Sequence, residues 1–186
     1  ASNKISNSEL ENLASKYGGV YVFNEKFEKE ITTKEKIRRE AELAIVNASK
    51  TDAEMRKNLK GFDTKYPQTL SNGKRYYTRW IDYERETGKK AEIPETYINK
   101  IKEFMGDENY NKSPNLPILV MFYIDNNEEI IPIKLSMSYT YYRTKYGLFG
   151  DEGHGVRFKD EEQIFIRGGN KFILTNGKFE RVSKDK

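Results

Sequence analysis

Apolar residues recur at helical spacing through the first half of the chain and alternate with polar ones through most of the second. Ser6 with Glu9 is a capping pair, followed by Leu10, Leu13, Ala14 and Tyr17 on one face and stopped by Gly18-Gly19. Val20 to Phe23 is an apolar run of strand length. Thr32 with Glu35 repeats the capping signature and opens a stripe of Ile37, Ala41, Ala44, Ile45 and Ala48. Thr51 with Glu54 repeats it before Met55, Leu59 and Gly61, which predicts a helical pair over about 33–60. Pro94 at a first turn, then Tyr97, Ile98, Ile101 and Met105, with Gly106 at the end, mark a further helix.

After Pro114 the period changes. Ile118 to Ile124 reads as a buried strand, and Asp125-Asn126-Asn127 turns it into Ile130 to Leu135. Val156 and Phe158 alternate with charge, Ile164 to Ile166 precede Gly168-Gly169, and Phe172 to Leu174 follow. Asn176-Gly177 is a hairpin signal, because both residues tolerate the positive φ of a type I′ turn. The pattern predicts an α+β fold: N-terminal helices packed on a mainly antiparallel C-terminal β-sheet, a meander with hairpins. One domain over 1–186 is expected, with 1–7 as a flexible tether. The expected core is Ile37, Ala41, Ile45, Ile98, Ile101, Leu119, Phe122, Ile133 and Phe172.

Composition narrows the functional classes. Of 186 residues, 36% are hydrophobic and 33% charged, so the core is modest, while 13% aromatic residues supply large apolar areas to fill it. The net charge of +4 invites a nucleic-acid reading, but both signs are mixed along the whole chain and no basic stripe or tail stands out. Nucleic acid is therefore not the expected partner; a protein or glycan is. The absence of cysteine removes disulfides, thiolate metal sites and a thiol nucleophile. No apolar run approaches a membrane span. The chain opens at Ala1 with a polar segment, as a trimmed or mature exported protein does. A secreted or cell-envelope, lipoprotein-like bacterial protein is the expectation, and the cytoplasm is the alternative.

Candidate chemistry is sparse. His154, the single histidine, lies in Asp151-Glu152-Gly153-His154-Gly155 and could act as a base or ligand at neutral pH; a turn residue is the plainer reading. Asp107 to Asn111 has the oxygen spacing of half a calcium loop, but Lys112 stands where a glycine is needed and Ile118 where a glutamate should close the site. No metal site and no cofactor is expected. Two aromatic-basic segments, 74–80 and 139–146, interleave rings with cations. From them, Arg75, Tyr77, Arg79, Trp80, Tyr141 and Arg143 are candidate binding residues, together with His154. Thirteen tyrosines exceed what a small core needs, and tyrosine suits interfaces through its apolar body and hydroxyl.

The segment Glu161-Glu162-Gln163-Ile164-Phe165-Ile166-Arg167-Gly168-Gly169-Asn170-Lys171-Phe172 resembles the end of mono-ADP-ribosyltransferase toxin domains. There an acidic pair runs into an apolar strand, a glycine turn and a phenylalanine. Ser136-Met137-Ser138 is similar to the family's Ser-Thr-Ser strand. The resemblance implies a toxin-like enzyme, yet Gln163 stands where the catalytic glutamate belongs. The leading reading is a non-catalytic binding or interaction domain. The toxin-like enzyme and an aromatic-basic nucleic-acid binder are its alternatives.

Overall fold

The computed structural model describes residues 5–149 and 156–184. It is an α+β fold. Helices α1 (Asn7–Tyr17), α2 (Glu25–Ala48), α3 (Asp52–Leu59), α4 (Phe62–Lys65), α5 (Trp80–Thr87), α6 (Glu95–Met105) and α7 (Asp107–Lys112) come first. Strands β3 (Ile118–Ile124), β4 (Ile130–Met137), β5 (Tyr139–Phe149), β6 (Val156–Ile166), β7 (Asn170–Thr175) and β8 (Lys178–Lys184) follow. Two short strands, β1 (Gly19–Val22) and β2 (Tyr76–Tyr77), interrupt the helical half. Six strands form a mainly antiparallel sheet in the order β2-β3-β4-β1-β7-β8, while β5 and β6 form a two-stranded antiparallel ribbon.

The chain divides into two compact units, each assembled from separate stretches: Ala1–Tyr21, Ile98–Ile118 and Ser136–Lys186 in the first, Val22–Tyr97 and Leu119–Leu135 in the second. In the first unit, Ser6 Oγ accepts from the Glu9 amide at 3.2 Å and starts α1, which buries Leu10, Leu13 and Ala14. α6 buries Ile101 and Met105. An aromatic group fills the space between them: Tyr21 stacks on Phe172 at 4.7 Å, and Phe104 lies 4.9 Å from Phe172. Asn176 and Gly177 take φ of 52° and 82° at the β7–β8 turn, as their type I′ reading requires.

In the second unit, Ile31, Leu70, Tyr76 and Ile133 form a buried cluster, with Phe27, Met121 and Tyr123 packed against it. Here α2 departs from expectation. Its cap is Asn24, whose Oδ1 accepts from the Phe27 amide at 3.0 Å, eight residues before Thr32. Thr32 lies inside the helix, and its hydroxyl donates back to the Glu28 carbonyl at 2.8 Å. The buried positions of α2 are Glu28 and Ile31, whereas Ile37 is 50% exposed and Ala41, Ile45 are only half-buried. The reason is the cover available: the far half of α2 pairs with α3, a helix of 8 residues that buries none of its own side chains. Ile98 is half-buried, and the other expected core residues, Ile101, Leu119, Phe122, Ile133 and Phe172, are buried. Lys134 donates to the buried Glu28 at 3.0 Å, so the charge that α2 carries into the core has a partner.

Candidate functional site

The two aromatic-basic segments fall in different units. In the second unit, residues 74–80 border a polar cleft of about 580 Å³. Its walls come from α2 (Glu35, Arg38), α4 (Asp63), the loop 67–69, Arg75, and the start and body of α5 (Arg79, Asp82, Glu86). Of the candidate residues, Arg75 and Arg79 line it. Tyr77 is buried beneath, with the Arg75 guanidinium 4.1 Å above its ring. Trp80 opens α5 and is 43% exposed.

A continuous hydrogen-bond network holds the cleft. Tyr76 donates to Glu35 Oε2 at 2.6 Å, and Arg38 Nε sits 3.2 Å from the same oxygen. Arg38 also holds Asp63 at 3.0 Å and the Tyr66 carbonyl. The amide of Gln68 links the two halves: its Nε2 donates to Glu35 at 3.2 Å, and its Oε1 accepts from Arg75 at 2.8 Å. Arg75 then reaches Glu86 Oε1 at 2.9 Å, and Tyr77 donates to Glu86 Oε2 at 2.6 Å. Adjacent residues of a strand point to opposite faces, so Tyr76 and Tyr77 anchor two different carboxylates from one dipeptide. Arg79 and Asp82 have no side-chain partner among the described residues, and they face the cleft unengaged.

Burial pushes the Tyr77 phenol up to about 12, and its bond to Glu86 acts in the same sense. Burial, then Glu35, raises Tyr76 as well. A tyrosine whose folded pKa lies above its ordinary value near ~10 adds stability in full below about pH 10. That contribution is lost as pH rises toward about 12, because the unfolded chain releases the proton first. Stability is therefore expected to fall over this window, and Tyr77→Phe is expected to make the fall shallower. Urea midpoints taken with the ultraviolet phenolate band would check it; an unchanged slope in Tyr77→Phe would contradict the assignment.

In the first unit, residues 139–146 form most of β5. Tyr139 and Thr140 are buried, and Tyr141 is half-buried with its hydroxyl on Glu11 at 3.2 Å. Arg143 pairs with Glu162 at 2.7 Å, and this bond holds the Glu162 carboxyl below its usual range. Tyr141 and Arg143 thus share a face of the ribbon occupied by local partners. The opposite face carries Tyr142, Tyr146 and Phe165, which are 63%, 78% and 61% exposed. Register sets this grouping: Tyr142 faces Gln163, Thr144 faces Glu161, Tyr146 faces Lys159, and Phe165 faces Thr140. The exposed rings Tyr142, Tyr146 and Phe165 and the cleft residues Glu35, Arg38 and Gln68 stand beside the candidates named from the sequence and were not among them. Alternation along β5 separates its two faces, but only the pairing with β6 decides which one is presented, and the cleft residues are distant from one another in the chain.

Asp107 to Lys112 is the short helix α7, with Asn109 Nδ2 donating to the Met105 carbonyl at 2.9 Å. Glu161 and Gln163, which carry the toxin resemblance, are exposed on β6. His154 lies outside the described residues. Among the described residues, no group of three or more His, Asp or Glu side chains could hold a metal ion. No described helix is long and apolar enough to cross a membrane. Set against known protein families, curated proteins and solved structures, the chain matches none.

Proposed function

We propose that the chain is a non-catalytic binding domain and that its β5–β6 ribbon receives a protein partner. The observation carrying this reading is the exposed aromatic face of Tyr142, Tyr146 and Phe165 on a sheet that has two strands among the described residues. Each strand has 11 residues and, among the described residues, pairs with no strand but the other, so beyond the stretch of β5 that packs on α1 the outer edges keep backbone N–H and C=O groups free of further strands. A two-stranded hairpin is marginally stable by itself. A partner strand added to either edge would satisfy those groups, and the three rings would cover its apolar side chains. The surrounding charges suit a protein better than a nucleic acid. Lys159 and Glu161 lie on the aromatic face, and Arg143 and Lys145 are both tied to Glu162 on the other, so among the described side chains a phosphate backbone meets no cationic stripe.

Peptides selected from a displayed random library are expected to alternate apolar and polar residues. They should slow amide exchange along 139–146 or 159–166. Replacing Tyr142, Tyr146 and Phe165 together by Ser is expected to abolish their capture while shifting stability by no more than about 1 kcal/mol, because all three rings are exposed. Undiminished capture by the triple variant would defeat the reading. So would a shift of labelled single-stranded DNA at ~150 mM salt and low-micromolar protein.

A further inference from the structure

The polar cleft of the second unit is distinct from the ribbon and calls for a different ligand. We propose that it binds a neutral, hydroxyl-rich molecule, a mono- or oligosaccharide.

The charge content of the walls carries the argument. Arg38, Arg75 and Arg79 share the cleft with Glu35, Asp63, Asp82 and Glu86. A phosphate or carboxylate ligand would face the guanidinium groups only by coming close to four carboxylates. Asp82 in the first turn of α5 also answers the positive end of that helix, and this removes the usual attraction of a helix start for anions. A cationic ligand meets the converse difficulty, because three arginines line the same walls. A hydroxyl group carries no charge and is both donor and acceptor. It can donate to one carboxylate oxygen while accepting from a neighbouring guanidinium, so alternating acids and bases suit it where they would oppose an ion.

Preorganisation strengthens the case. Planar groups pinned by a layer behind them lose little freedom when a ligand arrives. Arg75 is fixed by Gln68 at 2.8 Å, by the Tyr76 carbonyl at 2.6 Å, by Glu86 at 2.9 Å and by the Tyr77 ring. Arg38 is fixed by Glu35 and Asp63 and lies 5.1 Å over Phe62. Each keeps N–H groups beyond those used in the network, and Arg79 and Asp82 keep all of their capacity. The floor is therefore rigid and the rim adaptable. Rim residues are where selection among sugars would be exercised.

The test uses the full chain and the emission of its one tryptophan, Trp80, which adjoins Arg79. Neutral hexose and N-acetylhexosamine mono- to tetrasaccharides, inorganic phosphate and oligolysine are titrated in parallel, with backbone NMR shifts recorded. At least one saccharide is expected to bind at millimolar concentration and to move the signals of 67–69 and 78–82 while leaving 139–146 still. Its affinity should not change between about 0.05 and 0.5 M salt. Arg79→Ala and Asp82→Asn should each weaken it about tenfold, with the unfolding midpoint unchanged for Arg79→Ala and lowered only slightly for Asp82→Asn, which gives up its charge at the start of α5 but no bond of the network. Binding of phosphate or of oligolysine at these signals with steep salt dependence would overturn the proposal. So would silence from every saccharide at about 20 mM, or binding that both variants retain in full.

Discussion

A methyl group placed on Gly19 or Gly168 is expected to prevent the first unit from folding. Gly19 has φ of +139°, and a Cβ there would lie 2.6 Å from both the backbone carbonyl carbon and the nitrogen of Asn170. At Gly168, with φ of +76°, a Cβ would stand 2.6 Å from the Gly18 oxygen and 2.7 Å from its Cα. Every obstructing atom is main chain, so no rotamer change relieves the overlap. The segments cannot separate cheaply either. The Asn170 amide donates to the Gly18 carbonyl at 3.1 Å, and its side-chain Nδ2 donates to Ser15 and Gly18 carbonyls at 2.8 and 2.9 Å. Moving β7 away would break these bonds within a buried site, each costing about 1–3 kcal/mol. The comparison that isolates the cause is Gly177→Ala, where φ is +82° but nothing lies within 4 Å of the new Cβ. That change costs only the backbone penalty of about 1–2 kcal/mol. Soluble yield and urea midpoints of the three variants test the argument, and Gly168→Ala or Gly19→Ala matching Gly177→Ala would refute it.

Truncating Phe172 or Phe122 to Ala is expected to cost on the order of 3–5 kcal/mol each. Phe172 is buried between Tyr21, stacked at 4.7 Å, and Phe104 at 4.9 Å, so removing its ring leaves a cavity walled by rigid aromatic faces. Phe122 has the same role in the second unit, stacked on Tyr77 at 5.2 Å and edge-on to Tyr83 at 5.6 Å. Planar rings collapse poorly into a void, which places both changes toward the upper end of that range. Against a total stability of about 5–15 kcal/mol the loss is severe. Phe122→Ala has a further consequence: Tyr77 loses the ring behind it, and with it part of the support for Glu86 and Arg75. Denaturation midpoints indistinguishable from the parent for both variants would show that these rings do not carry the packing ascribed to them.

Local signals read well wherever one short stretch contained both the cause and the effect. Ser6 caps α1, Thr51 caps α3 through the Glu54 amide at 3.1 Å, Pro94 precedes α6, and Asn176-Gly177 turns β7 into β8. The Thr32-Glu35 pair shows where such a signal fails. A capping box is satisfied only if its threonine precedes the helix, and Asn24 had already started α2. The hydroxyl then bonded one turn back. The stripe from Ile37 to Ala48 fails for another reason: periodicity identifies an apolar face but says nothing about whether anything covers it.

The candidate sites divide along the same line. That 74–80 and 139–146 reach the surface in part, with tyrosine and arginine interleaved, could be read from the residues, because composition and alternation are local properties. Which tyrosines are presented depended on register. A shift of one residue moves a side chain to the other face of a strand, and only the pairing of β5 with β6 exposes Tyr142 and Tyr146 while tying Arg143 to Glu162. The cleft lay further still from the sequence. Tyr76 meets Glu35 across 41 residues and Arg38 meets Asp63 across 25. The α+β class, the helix caps α1 and α3 carry and the hairpin turn were legible because backbone preferences act over a few residues, and the aromatic supply because it is a matter of composition. The glycine crossing, the exposed face of the ribbon and the paired network of the cleft arise only once the chain has folded. Those depend on which distant backbones can approach closely enough for a side chain, or its absence, to matter.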